Sequence, residues 1–124
     1  VKVSERFKVG ITRYTPADAD DLHKFQLEHF GEGSREVDEG RRAWLFEQNP
    51  CLDAEGPGLW ICRREGTIVG QQAEIPFDLQ VGRDVRRASW AVDLMVDDAW
   101  RIKGVGPGLM ATMVEGRTIS LGLN

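Results

Sequence analysis

Val92-Asp93-Leu94-Met95-Val96-Asp97-Asp98-Ala99-Trp100-Arg101-Ile102-Lys103-Gly104-Val105-Gly106-Pro107-Gly108-Leu109-Met110 is the stretch that decides the fold. Its first residues close a strand predicted over 88–96. Trp90, Val92, Leu94 and Val96 fall on one face, and Ser89, Ala91, Asp93 and Met95 on the other. Most of both faces is apolar, which predicts a central strand covered on both sides. The second half is a basic, glycine-rich turn that opens a helix predicted over 104–115, with Val105, Leu109 and Met113 at i, i+4 and i+8. Thr118-Ile119-Ser120-Leu121 then starts a further strand. Strand, helix and strand in this order form a βαβ-like crossover.

Working back from that unit, Leu59-Trp60-Ile61-Cys62 and Ile68-Val69 flank Glu65-Gly66, a tight hairpin turn. The second arm runs on through Glu74 toward Val81, with Pro76 expected at a bulge or an exposed edge. Further back, Thr15-Pro16-Ala17-Asp18 combines a capping residue, a first-turn proline and an acid, the signature of a helix start. Ala19, Leu22, Phe25 and Phe30 share the apolar face of that helix, which stops near Gly31. A second helix is predicted over 37–47, with Val37, Trp44 and Leu45 buried and Asn49-Pro50 ending it. Phe7, Val9 and Ile11 alternate with more polar neighbours and predict a first strand. The expected architecture is mixed α/β (α+β): a mostly antiparallel central sheet flanked by helices, in a single domain over residues 1–124.

Composition narrows the function classes. Sixteen basic against twenty acidic residues leave a net charge of −4, which argues against a nucleic-acid or anionic-membrane binder working by bulk charge. No stretch approaches the roughly 20 apolar residues that span a bilayer, and residues 1–10 lack a signal-peptide core. Two cysteines, Cys51 and Cys62, are too few for a disulfide scaffold and lack zinc-ligand spacing. They read as reduced thiols, and the expected location is cytoplasmic, with no metal, no nucleic acid and no membrane as partner.

The turn before the last helix carries the chemistry. Helix-start N–H groups lack internal acceptors, glycines let a ligand approach the backbone, and Arg101 and Lys103 add full positive charge. These features suit an anion site. They suit equally a tight strand-to-helix turn with solvated charges, because the spacing is neither a P-loop nor Gly-x-Gly-x-x-Gly.

Arg101, Gly104 and Gly106 fill the pattern Arg/Gln-x-x-Gly-x-Gly/Ala, after the aromatic Trp100 and a strand ending Leu94-x-Val96. This segment resembles motif A of the GNAT superfamily of N-acetyltransferases, and the order of elements before it matches as well. The resemblance implies transfer of an acetyl or other acyl group from acetyl-CoA to a primary amine, directly in a ternary complex. A small-molecule or peptide amine would be the acceptor, and homodimerisation is left open. A non-catalytic acyl-CoA-binding or regulatory module is the alternative.

By the same resemblance, backbone groups of Leu94, Met95 and Val96 would pair with the pantetheine arm. Arg101, Ile102, Lys103, Gly104, Val105 and Gly106 would cradle the pyrophosphate. Pro107 departs from the pattern, since it offers no N–H where the family usually has one. Family members use a carboxylate base. Asp93, on the otherwise apolar central strand, is the first candidate, against the reading of a buried acid paired with a backbone or arginine donor. Glu74 is the second, against a solvated strand-edge glutamate. His29 reads as a core histidine, and His23, Cys51 and Cys62 have no partner motif. The family's later helix, often bearing a proton-donating tyrosine, has no counterpart here, since Tyr14 at the end of the first strand is the sole tyrosine. The chain is therefore expected to be the N-terminal part of such a domain.

Overall fold

The structure, a computed structural model, describes residues 8–54, 56–115 and 119–122. Five strands form one sheet in the order β1-β2-β3-β4-β5: β1 (Ile11–Arg13), β2 (Leu59–Arg64), β3 (Thr67–Val81), β4 (Asp84–Val96) and β5 (Ile119–Gly122). The first three pairings are antiparallel, and β4 pairs with β5 in parallel through Ala88↔Ile119 to Ala91↔Gly122. This is the mixed, mostly antiparallel sheet that the sequence predicts. Glu65 and Gly66 both take positive φ in the two-residue turn joining β2 to β3, as a primed hairpin turn requires.

Helices cover both faces. On one side α1 (Ala19–Phe30), together with the turn that follows α2 (Glu39–Ala43), brings Leu22, Phe25, Leu45 and Phe46 against Leu59, Ile61, Ile68, Ala73 and Val92. On the other, α3 (Val105–Val114) buries Val105, Leu109 and Met113 against Trp60, Cys62, Val69, Ala91 and Val96. The i, i+4, i+8 stripe is thus the seat of α3. Gly70 makes the close approach feasible, since a Cβ there would lie 3.0 Å from both Leu109 Cδ1 and Val105 Cγ1.

Four local expectations change. The first strand starts only at Ile11, because the chain turns at Gly10 (φ +76); Val9 is exposed and Phe7 lies outside the described residues. The start of the last strand, Thr118, also lies outside them, as does Asn124. The helix predicted over 37–47 is broken: Arg35–Val37 form a 3-10 turn, and Asp38 caps α2 by accepting the Arg41 N–H at 2.7 Å. A π-helical turn, Trp44–Gln48, then widens the helix. The wider turn sets the adjacent Leu45 and Phe46 into the core and turns Trp44 outward, 56% exposed.

Pro76 is neither at a bulge nor exposed. It is buried opposite Ser89, and its carbonyl accepts from Asn49 Nδ2 on the side away from β4. Because β2 ends at Leu59↔Ala73, no strand needs the N–H that Pro76 lacks. The bulge lies in β4 instead. Gln71 pairs with Met95 but Ala73 with Val92, so β4 carries an extra residue at Asp93–Leu94. This shift breaks the predicted alternation: Met95 joins Trp90 and Val92 on the α1–α2 face, Val96 packs under α3, and Leu94 is exposed.

Candidate active site

Two features of the chain meet at the C-terminal end of β4. One is the bulge. Asp93 has φ +55, a conformation costly for a residue with a side chain and found where surrounding contacts enforce it. Those contacts are visible. Gln71 Nε2 donates to the Asp93 carbonyl at 2.9 Å, and Gln72 Nε2 donates to the carbonyls of Val92 at 2.8 Å and Ala73 at 2.9 Å. Gln71 is itself held by Gln26 of α1, whose Nε2 donates to Gln71 Oε1 at 2.9 Å. Two consecutive buried glutamines therefore replace the ladder bonds that the extra residue displaces.

The Asp93 side chain reaches α2. Its two oxygens accept from Arg41 Nη1 at 2.8 Å and Nη2 at 3.1 Å, a bidentate fork. The carboxylate is 6% exposed and the Arg41 side chain 25%. Of the two sequence readings of Asp93, the paired acid is thus the one with a visible partner, and the pairing leaves the residue on the wall of a cleft. Glu74 is no strand-edge group. It is fully buried on β3 opposite Ala91, close to Gly58, where a Cβ would meet its side chain at 2.6 Å. It does not line the cleft that Asp93 lines.

That cleft, of about 210 Å3, runs between β4, β5 and α3. Gln72, Ala91, Val92, Asp93, Leu94, Met110 and Gly122 form its walls. Ala91↔Gly122 is the last pair of the β4–β5 ladder among the described residues, and Val92, Asp93 and Leu94 follow it along the cleft wall.

The second feature is the turn into α3. Asp97 accepts the Ala99 N–H on its side chain at 2.9 Å, holding the 3-10 turn Asp98–Trp100. Gly104, with φ +83, then swings the chain into α3 as its N-cap. The N–H groups of Gly104, Val105 and Gly106 make no hydrogen bond among the described residues, Pro107 has none, and Gly108 is the first to bond back, to the Gly104 carbonyl at 3.0 Å. Lys103 N–H is already used, by the Trp100 carbonyl at 3.2 Å. The open donors are therefore concentrated at Gly104–Gly106.

The two cations of the turn have local partners. Arg101 folds back over the end of β4, with Nε donating to the Val96 carbonyl at 3.0 Å and Nη2 paired with Asp98 at 2.9 Å. Lys103 Nζ sits 4.7 Å from the centre of the Trp100 ring, while Ile102 stands 95% exposed. His29 packs against Phe25 with the two rings tilted and comes within 3.5 Å of Asp97 Oδ2, tying the end of α1 to the end of β4. It is half-buried, with a carboxylate partner as well as its apolar neighbour.

A parallel β4–β5 pair, a bulge in β4 and a glycine-capped α3 define a recognisable architecture. Glucosamine-6-phosphate N-acetyltransferase of Arabidopsis thaliana is similar to this chain with a TM-score of 0.64 at 18% identity, over 92% of this chain and 80% of that one. The chain has the GNAT acetyltransferase fold. Ribosomal-protein-alanine N-acetyltransferase of Brucella melitensis biovar Abortus 2308 matches with a TM-score of 0.64 at 16% identity, over 94% and 80% of the two chains. An aminoglycoside acetyltransferase from an uncultured soil metagenomic sample matches at 0.64 and 18%, over 92% and 76%. In sequence, no family model and no curated protein matches. The GNAT fold is therefore carried by the arrangement of elements rather than by residue identity.

Among the described residues no group of three or more His, Cys, Asp or Glu is placed to hold a metal ion, and no helix is long and apolar enough to cross a membrane. The sequence pattern places the glycine turn, the strand end and Asp93 together, and the structure brings these to one region. It passes over Arg41, Gln71 and Gln72. The one signal available was Gln71-Gln72, two adjacent amides in a strand otherwise rich in apolar residues.

Proposed function

We propose that this protein is a GNAT-type acyltransferase that moves an acetyl or related acyl group from coenzyme A to a primary amine. The observation that carries the reading is the pair of features at the end of β4: open N–H groups at Gly104–Gly106, and a cleft at the bulge Asp93–Leu94 that Met110 of α3 also lines. The donors and the positive end of α3 suit a pyrophosphate. The edge of Leu94–Val96 suits the amides of a pantetheine arm. The thioester then lies at the bulge, where N–H groups released from the ladder can stabilise the developing oxyanion.

In the reaction the amine nitrogen bonds to the thioester carbon and the carbon–sulfur bond breaks. One proton leaves the nitrogen and one reaches the sulfur. Asp93 is the acidic residue of the cleft wall, its carboxylate turned to Arg41, and in this reading it takes the amine proton directly or through water while Arg41 fixes its orientation. Glu74, buried away from the cleft, is the weaker candidate for that role. Arg101 and Lys103 supply charge near the phosphates and must leave Asp98 and Trp100 to contact them.

The test is calorimetry with coenzyme A on the wild type and on Gly104→Glu. A carboxylate at the N-cap adds bulk and like charge beside the phosphates. Losing even one charge-assisted hydrogen bond, about 1.5–3 kcal/mol, weakens binding by more than tenfold. Equal affinities in two proteins shown to be folded by circular dichroism would remove the phosphate cradle. A wild type that binds coenzyme A tightly and turns over no acyl-CoA with any amine would favour the non-catalytic binding module.

A further inference from the structure

Gln72 carries an unfinished hydrogen-bond account. The residue is 1% exposed, yet it lines the cleft beside the bulge. Its Nε2 is spent on the carbonyls of Ala73 and Val92, which fixes the amide the right way round: a flipped amide would set its oxygen against two others. Its Oε1 is buried and has no hydrogen-bond partner among the described residues. Buried acceptors in folded proteins are almost always paired, and this one shares the cleft with Ala91, Val92, Leu94 and Met110, whose side chains carry no donor. None of these can donate to it.

The placement says what would complete it. Gln72 lies opposite the two bulge residues, because Gln71 pairs with Met95 and Ala73 with Val92. Val92 to Val96 spans roughly 13 Å at the usual rise of a strand. An arm running from the start of α3 along that edge therefore brings the reacting end of an acyl-CoA to Gln72. The side chain also lies on the α3 side of the cleft wall, whereas the Asp93 carboxylate is turned to α2. An acetyl thioester has no hydrogen-bond donor, so the acetyl group alone leaves Oε1 unpaired.

We propose that Gln72 Oε1 is a built acceptor for a hydrogen-bond donor at the reacting end of the acyl-CoA, making Gln72 a positioning residue for the thioester. The inference rests on the acyl-CoA reading above. The donor is either the pantetheine amide N–H nearest the sulfur or a hydroxyl carried by the acyl chain itself.

Calorimetry on the wild type and on Gln72→Met separates these sources with four probes. They are coenzyme A, its analogue with that amide replaced by an ester, butyryl-CoA and 3-hydroxybutyryl-CoA. If the arm supplies the donor, the wild type binds coenzyme A about three- to tenfold tighter than the ester analogue, and Gln72→Met binds both alike. If the acyl chain supplies it, the wild type prefers 3-hydroxybutyryl-CoA over butyryl-CoA by a similar factor, and the variant loses that preference. Neither preference in the wild type, or a preference that survives in the variant, overturns the proposal while leaving the acyl-CoA reading in place. Binding of none of the four probes to the wild type overturns the reading itself and the inference with it. Since Nε2 also holds the bulge, circular dichroism checks the variant. Should Gln72→Met not fold, Gln72→Asn, which withdraws the amide by one methylene, takes its place.

Discussion

Replacing Asp93 by Asn removes a charge and almost nothing else. Asn is isosteric and, with Asp and Gly, among the residues that best tolerate positive φ, so the bulge backbone at φ +55 is not newly strained. What goes is the fork to Arg41, two charge-assisted hydrogen bonds of 2.8 and 3.1 Å around a carboxylate that is 6% exposed. Breaking a fully buried pair costs about 3–5 kcal/mol. Arg41 is a quarter exposed and recovers some hydration, so the expected loss is about 2–3 kcal/mol. Urea unfolding should register this at unchanged slope, with a melting temperature lower by about 10 °C. A cycle with Arg41→Gln should show strong coupling, because either single change already breaks the fork. In turnover, Asp93→Asn should lower kcat by roughly 10²–10⁴-fold and abolish the acidic limb of the pH profile, whereas Arg41→Gln keeps that limb. A stability loss below about 0.5 kcal/mol would refute the fork as a structural tie. An unaltered pH profile at near-wild-type kcat would refute Asp93 as the base, leaving it a purely structural acid.

Two further outcomes follow from the packing and from the acid network at the start of α1. Gly70→Val should cost about 1–3 kcal/mol in chemical unfolding, because its side chain meets Leu109 and Val105 and pushes α3 off the sheet; coenzyme A affinity should fall with it, and an unchanged affinity would separate the seat of α3 from the site. Asp18 is held below the usual carboxylate range, chiefly by the Thr15 backbone N–H at 2.9 Å, opposed by partial burial and helped by Arg63 at 3.0 Å. Its contribution is therefore fully present above the unfolded value near 3.9 and is lost as pH falls through the lower folded value. The stability gap between wild type and Asp18→Asn should be constant near neutrality and close below about pH 4, and a gap independent of pH would contradict the linkage.

How far the sequence reads depends on the range of the forces involved. The seat of α3 is legible because Val105, Leu109 and Met113 repeat with the helix, and the β2–β3 hairpin because Glu65-Gly66 suits only a tight turn. The α3 turn is legible for the same local reason, a glycine at the one position needing left-handed backbone. What escapes is set by partners distant in sequence. The bulge at Asp93 is held by Gln71 and Gln72, some twenty residues earlier, and its carboxylate by Arg41, on a helix that the sequence pattern draws too long. The π-helical turn that buries Phe46 and exposes Trp44 has no periodic signature at all. Glu74 looks solvated by residue type and is buried by its place in the sheet, beyond the end of β2 and against Gly58.

The central claim is that one ligand runs from the start of α3 along β4 to the bulge. Backbone amide chemical shifts recorded during titration with coenzyme A test it most directly. The account predicts saturable shifts at Gly104, Val105 and Gly106 and along Leu94–Val96, with little change in the groove between α1 and the β2–β3 turn at Asp21, Lys24 and Thr67. Saturation with shifts confined to that groove, or with Gly104–Gly106 unmoved, would contradict it.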